Sequence, residues 1–290
     1  MNDPTPDYVI EARGLHKRYG AVAALNGIDL KIPAGKIVGL IGRNGAGKTT
    51  ALKAILGLTS FQGTLSVLGY NPFRERHRLM ENVSYIADVA VLPKWMTAAQ
   101  VLEFAEACHP RFSLAAARKS LEASDVRPSA KVNALSKGMI VQLHLALVMA
   151  IDARLLVLDE PTLGLDIVYR KMFYSALLND YFDHSRTILV TTHQVEEIEH
   201  ILTDVVFIER GEVVLDEDLE TVARRYCEVT VDPSQLDAAK RLGPLSERRD
   251  LGHIVLLFED KDPVELERFG TVRRPRLADL FVAKVSGGAA

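Results

Sequence analysis

Residues 42–50 read Gly42-Arg43-Asn44-Gly45-Ala46-Gly47-Lys48-Thr49-Thr50, directly after the apolar run Ile37-Val38-Gly39-Leu40-Ile41. The stretch satisfies G-x-x-x-x-G-K-[ST], a spacing with chemical content. Its glycines let successive backbone N–H groups curl around a polyphosphate without Cβ clashes. Lys48 can then reach the β and γ phosphates, and the Thr49 hydroxyl is placed to ligate Mg²⁺. A Gly-rich turn before a helix is often only a loop, so the context decides. The run before it is β-like, and Thr49 to Leu56 has helical composition closed by Gly57 as a C-cap. Strand, phosphate loop and helix stand in the order that a nucleoside triphosphate site requires.

Upstream, Tyr8 to Arg13 and Ala24 to Ile32 alternate as strands around the turn Tyr19-Gly20, predicting an antiparallel opening. Downstream, Thr64–Leu68 and Val83–Ala87 read as short strands. Thr97 to Ala123 is rich in Ala, Leu, Glu and Lys at helical spacing, which predicts a helical insertion. The segment Ala153-Arg154-Leu155-Leu156-Val157-Leu158-Asp159-Glu160 is an apolar run ending in two acids, as expected of a central parallel strand covered on both faces. Its carboxyl end is where open α/β sheets place ligands. A helix over Ile167–Tyr181 and a second buried strand, Thr187–Thr191, ending at Thr192-His193, complete the alternation of a mainly parallel α/β sheet. After Glu220 the texture changes: Val229–Val231, a helical Pro233–Leu242, His253–Phe258 and a final helix fit a small α+β appendage.

The 290 residues, 48% hydrophobic and 25% charged, are those of an ordinary soluble globular protein. A net charge of −3 gives no electrostatic reason to expect nucleic acid, whose binders carry a basic surplus. Cys108 and Cys227 lack metal-ligand spacing and read as reduced thiols. No stretch reaches the roughly 18 apolar residues of a bilayer span, and the N-terminus has no basic-then-apolar signal pattern. The expectation is a chain neither secreted nor anchored by itself.

Three further features join the loop on one mechanism. Asp159 could hold Mg²⁺, commonly through water, while Glu160 is placed to polarise the water that attacks a γ phosphate. His193 ends the strand beside them, within possible reach of that phosphate. Leu135-Ser136-Lys137-Gly138-Met139 opens a helix through Gln142, Leu145 and Met149. A helix N-terminus with a serine hydroxyl and a close backbone at Gly138 can bind phosphate oxygens, although Ser-x-Gly by itself is merely an N-cap.

The phosphate loop, Leu135–Gly138, Leu155 to Thr162, Gly164-Leu165-Asp166 and His193, in that order, resemble the nucleotide-binding subunit of ATP-binding cassette (ABC) transporters over about residues 8 to 220. The resemblance implies a P-loop ABC cassette: an α/β fold with a mainly parallel central sheet, an antiparallel β subdomain and a helical subdomain. The cassette would cover 8–221, with its helical subdomain at about 89–150, and 222–290 would form a small C-terminal α+β accessory domain. It also implies ATP with Mg²⁺ as ligands and a head-to-tail pair of cassettes, homodimeric or heterodimeric. Ser136, Lys137 and Gly138 would then complete the site of the partner's Lys48. Asp166 would relay one site's state to the other, and Tyr19 would stack on adenine.

Asp88 stands where the family usually has glutamine after the strand Val83–Ala87; a carboxylate there could still reach Mg²⁺ with altered geometry. Lys137 and Met139 replace the common Gly and Gln, a variation similar to cassettes of the type-2 export branch, which pair with separate membrane permeases. Asp88 to Trp95 is where family members meet their permease. An exposed Trp95 with Val91, Leu92 and Met96 would suit a protein groove, and a buried Trp95 would belong to the helical insertion. The implied function is an ATPase subunit driving export from the cytoplasmic face of the membrane. The alternatives are a soluble cassette acting on nucleic acid or ribosomes, supported only by Arg273-Arg274-Pro275-Arg276, which a solvated turn explains better, and a metabolite kinase, which has no need of Ser136, Gly138 or His193.

Overall fold

The computed structural model describes residues 7–87, 92–250 and 252–287. Two long strands, β1 (Tyr8–Tyr19) and β2 (Val22–Pro33), pair antiparallel before β3 (Ile37–Ile41) leads through the phosphate loop into α1 (Lys48–Ile55). β4 (Gln62–Val67), α2 (Arg76–Met80) and β5 (Val83–Ile86) follow. The helices α3 (Ala98–Cys108), α4 (Leu114–Glu122) and α5 (Lys137–Met149) come next. The chain returns with β6 (Leu155–Asp159), α6 (Ile167–Ala176) with a π-helical turn at Leu177–Tyr181, β7 (Thr187–Thr192) and α7 (Val195–Ile198). Then come β8 (Asp204–Glu209), β9 (Glu212–Asp218) and α8 (Leu219–Arg225). The last part holds β10 (Tyr226–Val231), α9 (Leu236–Lys240), β11 (Ser246–Asp250), β12 (His253–Glu259), α10 (Pro263–Leu266), β13 (Gly270–Arg273) and α11 (Leu277–Gly287).

The central sheet has the order β5-β6-β7-β3-β8-β9, parallel except for its last strand. Every residue of β3, β6 and β7 is buried, because both faces are covered. Successive residues of β6 alternate between them: Leu156 and Leu158 join one apolar cluster, Leu155 and Val157 the other. Each such side chain contributes roughly 1.5–3 kcal/mol on burial, so the strand ends, where the chemistry sits, are fixed by packing. A separate antiparallel sheet, β2-β1-β4, covers α1.

The helices α3 to α5 share an apolar cluster of their own, which includes Val101, Leu121 and Leu143. α3 begins at a capping box in which the Thr97 and Gln100 side chains each satisfy the other's backbone N–H. Trp95 is exposed, at 69%, while Leu92 and Met96 pack against the helical cluster; Val91 lies outside the described residues.

The strands β11-β12-β10-β13 form a third, antiparallel sheet with its own cluster around Val229, Leu256 and Phe258. Its helix α11, however, belongs to the main core. Leu277, Leu280 and Ala283 are buried with Ile198 and Phe207, and Phe281 meets Phe207 edge to face at 5.2 Å. Glu199 accepts the Leu277 N–H at 3.1 Å. Arg225, at the passage into this part, pairs with Glu217, Glu259 and Asp260. Arg273, the last residue of β13, is exposed, yet its Nε donates at 3.0 Å to Glu228, a carboxylate with 2% of its side chain exposed. Burial demands that cation, and Arg248 supplies a second. Among the described residues no helix is long and apolar enough to cross a membrane.

Candidate functional site

The register brings three strand ends to one level, since Thr191 of β7 lies between Leu40 of β3 and Asp159 of β6. The loops leaving these ends enclose a cleft of about 530 Å³ lined by Arg43, Asn44, Gly45, Gly47, Lys48, Thr49, Thr50, Glu160, Leu163 and His193, with Val22 and Ala24 from the antiparallel sheet.

The loop's glycines have local causes. Gly47 has φ +114°, and a Cβ there would lie 2.6 Å from the Ala24 carbonyl oxygen; at Gly42 it would lie 2.5 Å from that of Ile208. The turn between β8 and β9 braces the loop, with the Gly211 N–H donating to the Ala46 carbonyl at 2.8 Å. Lys48 is buried and its Nζ donates to the carbonyls of Gly42 at 2.6 Å and Arg43 at 3.3 Å. Its Nζ also stands 3.8 Å from Glu160 Oε1. Burial pulls the ammonium below its usual pKa, opposed by the charges of Glu160 and Asp159.

Glu160 has a left-handed backbone, φ +48°, an uncommon state for a residue with a side chain. The Thr191 carbonyl holds the Glu160 N–H at 3.1 Å, and the carboxylate turns into the cleft, where Oε1 lies 2.8 Å from His193 Nδ1. One carboxylate oxygen therefore faces both Lys48 and His193, the arrangement of a hydrogen-bonded base held by a neighbouring ring. Asp159 is buried behind it and accepts the Thr191 hydroxyl at 2.5 Å. Thr49 and Asp159 offer hydroxyl and carboxylate oxygens, hard donors of the type that Mg²⁺ prefers.

Other expected residues lie elsewhere. Tyr19 is 49% exposed at the β1–β2 turn, with Lys17 Nζ 5.2 Å from its ring centre, and does not line the cleft. Ser136, Lys137 and Gly138 do not line it either; Ser136 caps α5 by accepting the Met139 N–H at 3.2 Å. Asp166 caps α6, accepting the N–H groups of Val168 and Tyr169. Asp88 lies outside the described residues.

Sequence reasoning missed the supports: Thr191 behind Asp159, and a cluster below Glu160. There Thr162 shares hydrogen bonds with Tyr174 and Glu197, and Arg170 pairs with Glu197 while its Nε donates to the Leu165 carbonyl at 3.0 Å. Burial pushes the Tyr174 hydroxyl up to about 12, so it stays protonated. Only Thr191, near a strand end, carried a sequence signal; Arg170 and Tyr174 lie on α6 and Glu197 on α7.

Phosphate loop, acidic strand end and histidine on one parallel sheet define a nucleoside triphosphatase. The comparisons narrow the class. A family model described as ABC transporter matches residues 25–163. A bacitracin transport ATP-binding protein of Enterococcus faecalis is 32% identical over 80% of this chain and 77% of its own length. A Nod factor export ATP-binding protein I of Burkholderia thailandensis is 32% identical over 94% of this chain and 95% of its own. A solved structure described as the ATP-binding subunit of an ABC transporter, 27% identical, aligns with a TM-score of 0.64 over 74% of this chain and 92% of its own. The chain belongs to the ATP-binding subunits of ABC transporters, a family of ATP hydrolases.

Proposed function

We propose that this chain hydrolyses ATP to drive export through a separate integral-membrane permease, acting as a pair of cassettes at the cytoplasmic face of the membrane. The observation that carries the reading is the meeting of Lys48, Glu160 and His193 in one cleft at the ends of three adjacent strands. Arg43 to Thr50 would cradle the phosphates, Lys48 would neutralise them, and Glu160, held by His193, would take the proton of the attacking water. Thr49 and Asp159, with Asp88 as a further candidate, would hold Mg²⁺, which supplies charge neutralisation to the phosphoryl oxygens.

Ser136, Lys137 and Gly138 lie away from the cleft of their own chain, which favours a site completed by a second copy. Asp166 would sit at the same junction. An adenine contact at Tyr19 would need that exposed ring to turn toward the cleft. We assign residues 8–221 to the catalytic cassette and 222–290 to an accessory domain. The export direction rests on the relative named for Nod factor export.

The test is Glu160→Gln. ATP turnover should fall at least about a hundredfold, while the variant forms an ATP-dependent dimer by light scattering. Unchanged turnover removes Glu160 as the base, and a chain that stays monomeric with ATP removes the paired site. Detergent extraction of membranes with a tagged chain should co-purify a hydrophobic permease; recovery of RNA instead would reject the transport reading.

A further inference from the structure

Gly138, the second residue of α5, is buried although its neighbours Ser136 and Lys137 are exposed. The side chain nearest it is that of Tyr169. A Cβ on Gly138 would overlap the ring of Tyr169, meeting Cζ, Cε1 and the hydroxyl oxygen. The phenol ring therefore lies against bare backbone, a seat that only glycine leaves open.

Tyr169 is itself held at the turn that leads into α6. The Asp166 carboxylate accepts its N–H at 3.1 Å and that of Val168 at 3.0 Å. Arg170 ties the same turn to α7 through the Leu165 carbonyl and Glu197. Deeper in, α5 and α6 share the main core through Val141, Leu145 and Phe173, but toward their N-terminal ends a largely apolar cavity of about 330 Å³ is lined by Lys137, Ile140 and His144 of α5 and by Leu163 and Leu165. The Tyr169–Gly138 contact therefore ties the α5 N-terminus to α6 next to a void, and close packing is what gives interiors their rigidity.

We propose that Tyr169 is a positioning residue that locks the Ser136–Gly138 turn to the Asp166 turn, so that both meet a partner's nucleotide as one unit. The inference rests on the reading that Ser136 and Gly138 complete a second copy's site. Without the ring, the α5 N-terminus can shift into the cavity, and displacements of about 1 Å at such a site reduce rates by about a hundredfold. The contact is made by the ring face, so phenylalanine should preserve it.

Two measurements test this. In a Glu160→Gln background, Tyr169→Ala should weaken ATP-dependent dimerisation at least about tenfold. With Glu160 intact, it should lower kcat by at least about tenfold while nucleotide affinity of the monomer stays at the parent value. Tyr169→Phe should restore both. Tyr169→Leu, which keeps apolar bulk but cannot lie flat on a glycine, should behave as alanine does and serves if the alanine chain fails to fold. Parent-like dimerisation and kcat in the alanine or leucine chain overturn the proposal, as does a phenylalanine chain as impaired as alanine. If Glu160→Gln with Tyr169 intact never dimerises on ATP, the composite-site reading falls and Tyr169's role falls with it. If it dimerises and the Tyr169 variants dimerise equally, only Tyr169's role falls.

Discussion

Acid should loosen this protein through His144 in particular. The ring stands on α5 beside the apolar cavity, and among the described residues no group bonds to its Nε2. Burial pushes its pKa down to about 4 from an ordinary 6.5. The folded chain thus keeps the ring neutral to about pH 4, whereas the unfolded chain takes up a proton below about pH 6.5. Stability from this group is full above the unfolded value and is lost as pH falls through the window between the two. At about 1.36 kcal/mol per pH unit, the loss reaches about 2 kcal/mol at pH 5 and about 3 kcal/mol at pH 4. Urea unfolding of the parent and of His144→Gln at pH 7.5 and pH 5 isolates the term, because glutamine does not titrate. The stability difference between the two chains should move by about 2 kcal/mol in favour of glutamine at the lower pH. A difference constant to within about 0.5 kcal/mol would show that the ring is solvated or paired when folded, and would refute the reasoning.

Three more outcomes follow from the site and its supports. Gly47→Ala, forced to φ +114° with its Cβ against the Ala24 carbonyl, should abolish binding of a fluorescent ATP analogue while far-ultraviolet circular dichroism is unchanged; a Kd within about threefold of the parent would refute the strain argument. Thr191→Val removes the hydroxyl donor to buried Asp159 and should lower unfolding free energy by about 1–3 kcal/mol, with Thr191→Ser recovering most of it. Arg225→Ala breaks the pairs to Glu217, Glu259 and Asp260. Because the arginine is about a third exposed, the loss should be only about 1 kcal/mol by urea unfolding and should shrink in high salt.

What could be read from the chain was whatever a continuous pattern encodes. β6 announced itself because a strand covered on both faces must be apolar at every position, and α5 did so through Ser136 and its following helical spacing. β11 did not. Ser246-Glu247-Arg248-Arg249-Asp250 has no apolar residue; it is an edge strand whose conformation comes from pairing with β12 and from the Arg248–Glu228 bridge. The phosphate cleft was legible to the extent that backbone spacing dictates it. Its second layer was not, since Thr191 behind Asp159 and Glu197 beside Arg170 join residues distant in sequence. The left-handed backbone at Glu160 likewise carries no composition signal, because it is imposed by the Thr191 carbonyl and the following turn. Tyr19 shows the converse: its place before the loop suggested contact with a ligand, while the β1–β2 turn leaves its ring exposed and outside the cleft lining.

The seating of α11 sets an order of events at the ribosome. A nascent chain emerges from its N-terminus and tends to fold in pieces as it appears, but Phe207 waits for Phe281, and Ile198 for Leu277 and Leu280. This side of the main core stays uncovered on the early segments alone. Until α11 has emerged, the growing polypeptide carries an apolar face at Ile198 and Phe207, so this side of the core closes only after the small antiparallel sheet has been made.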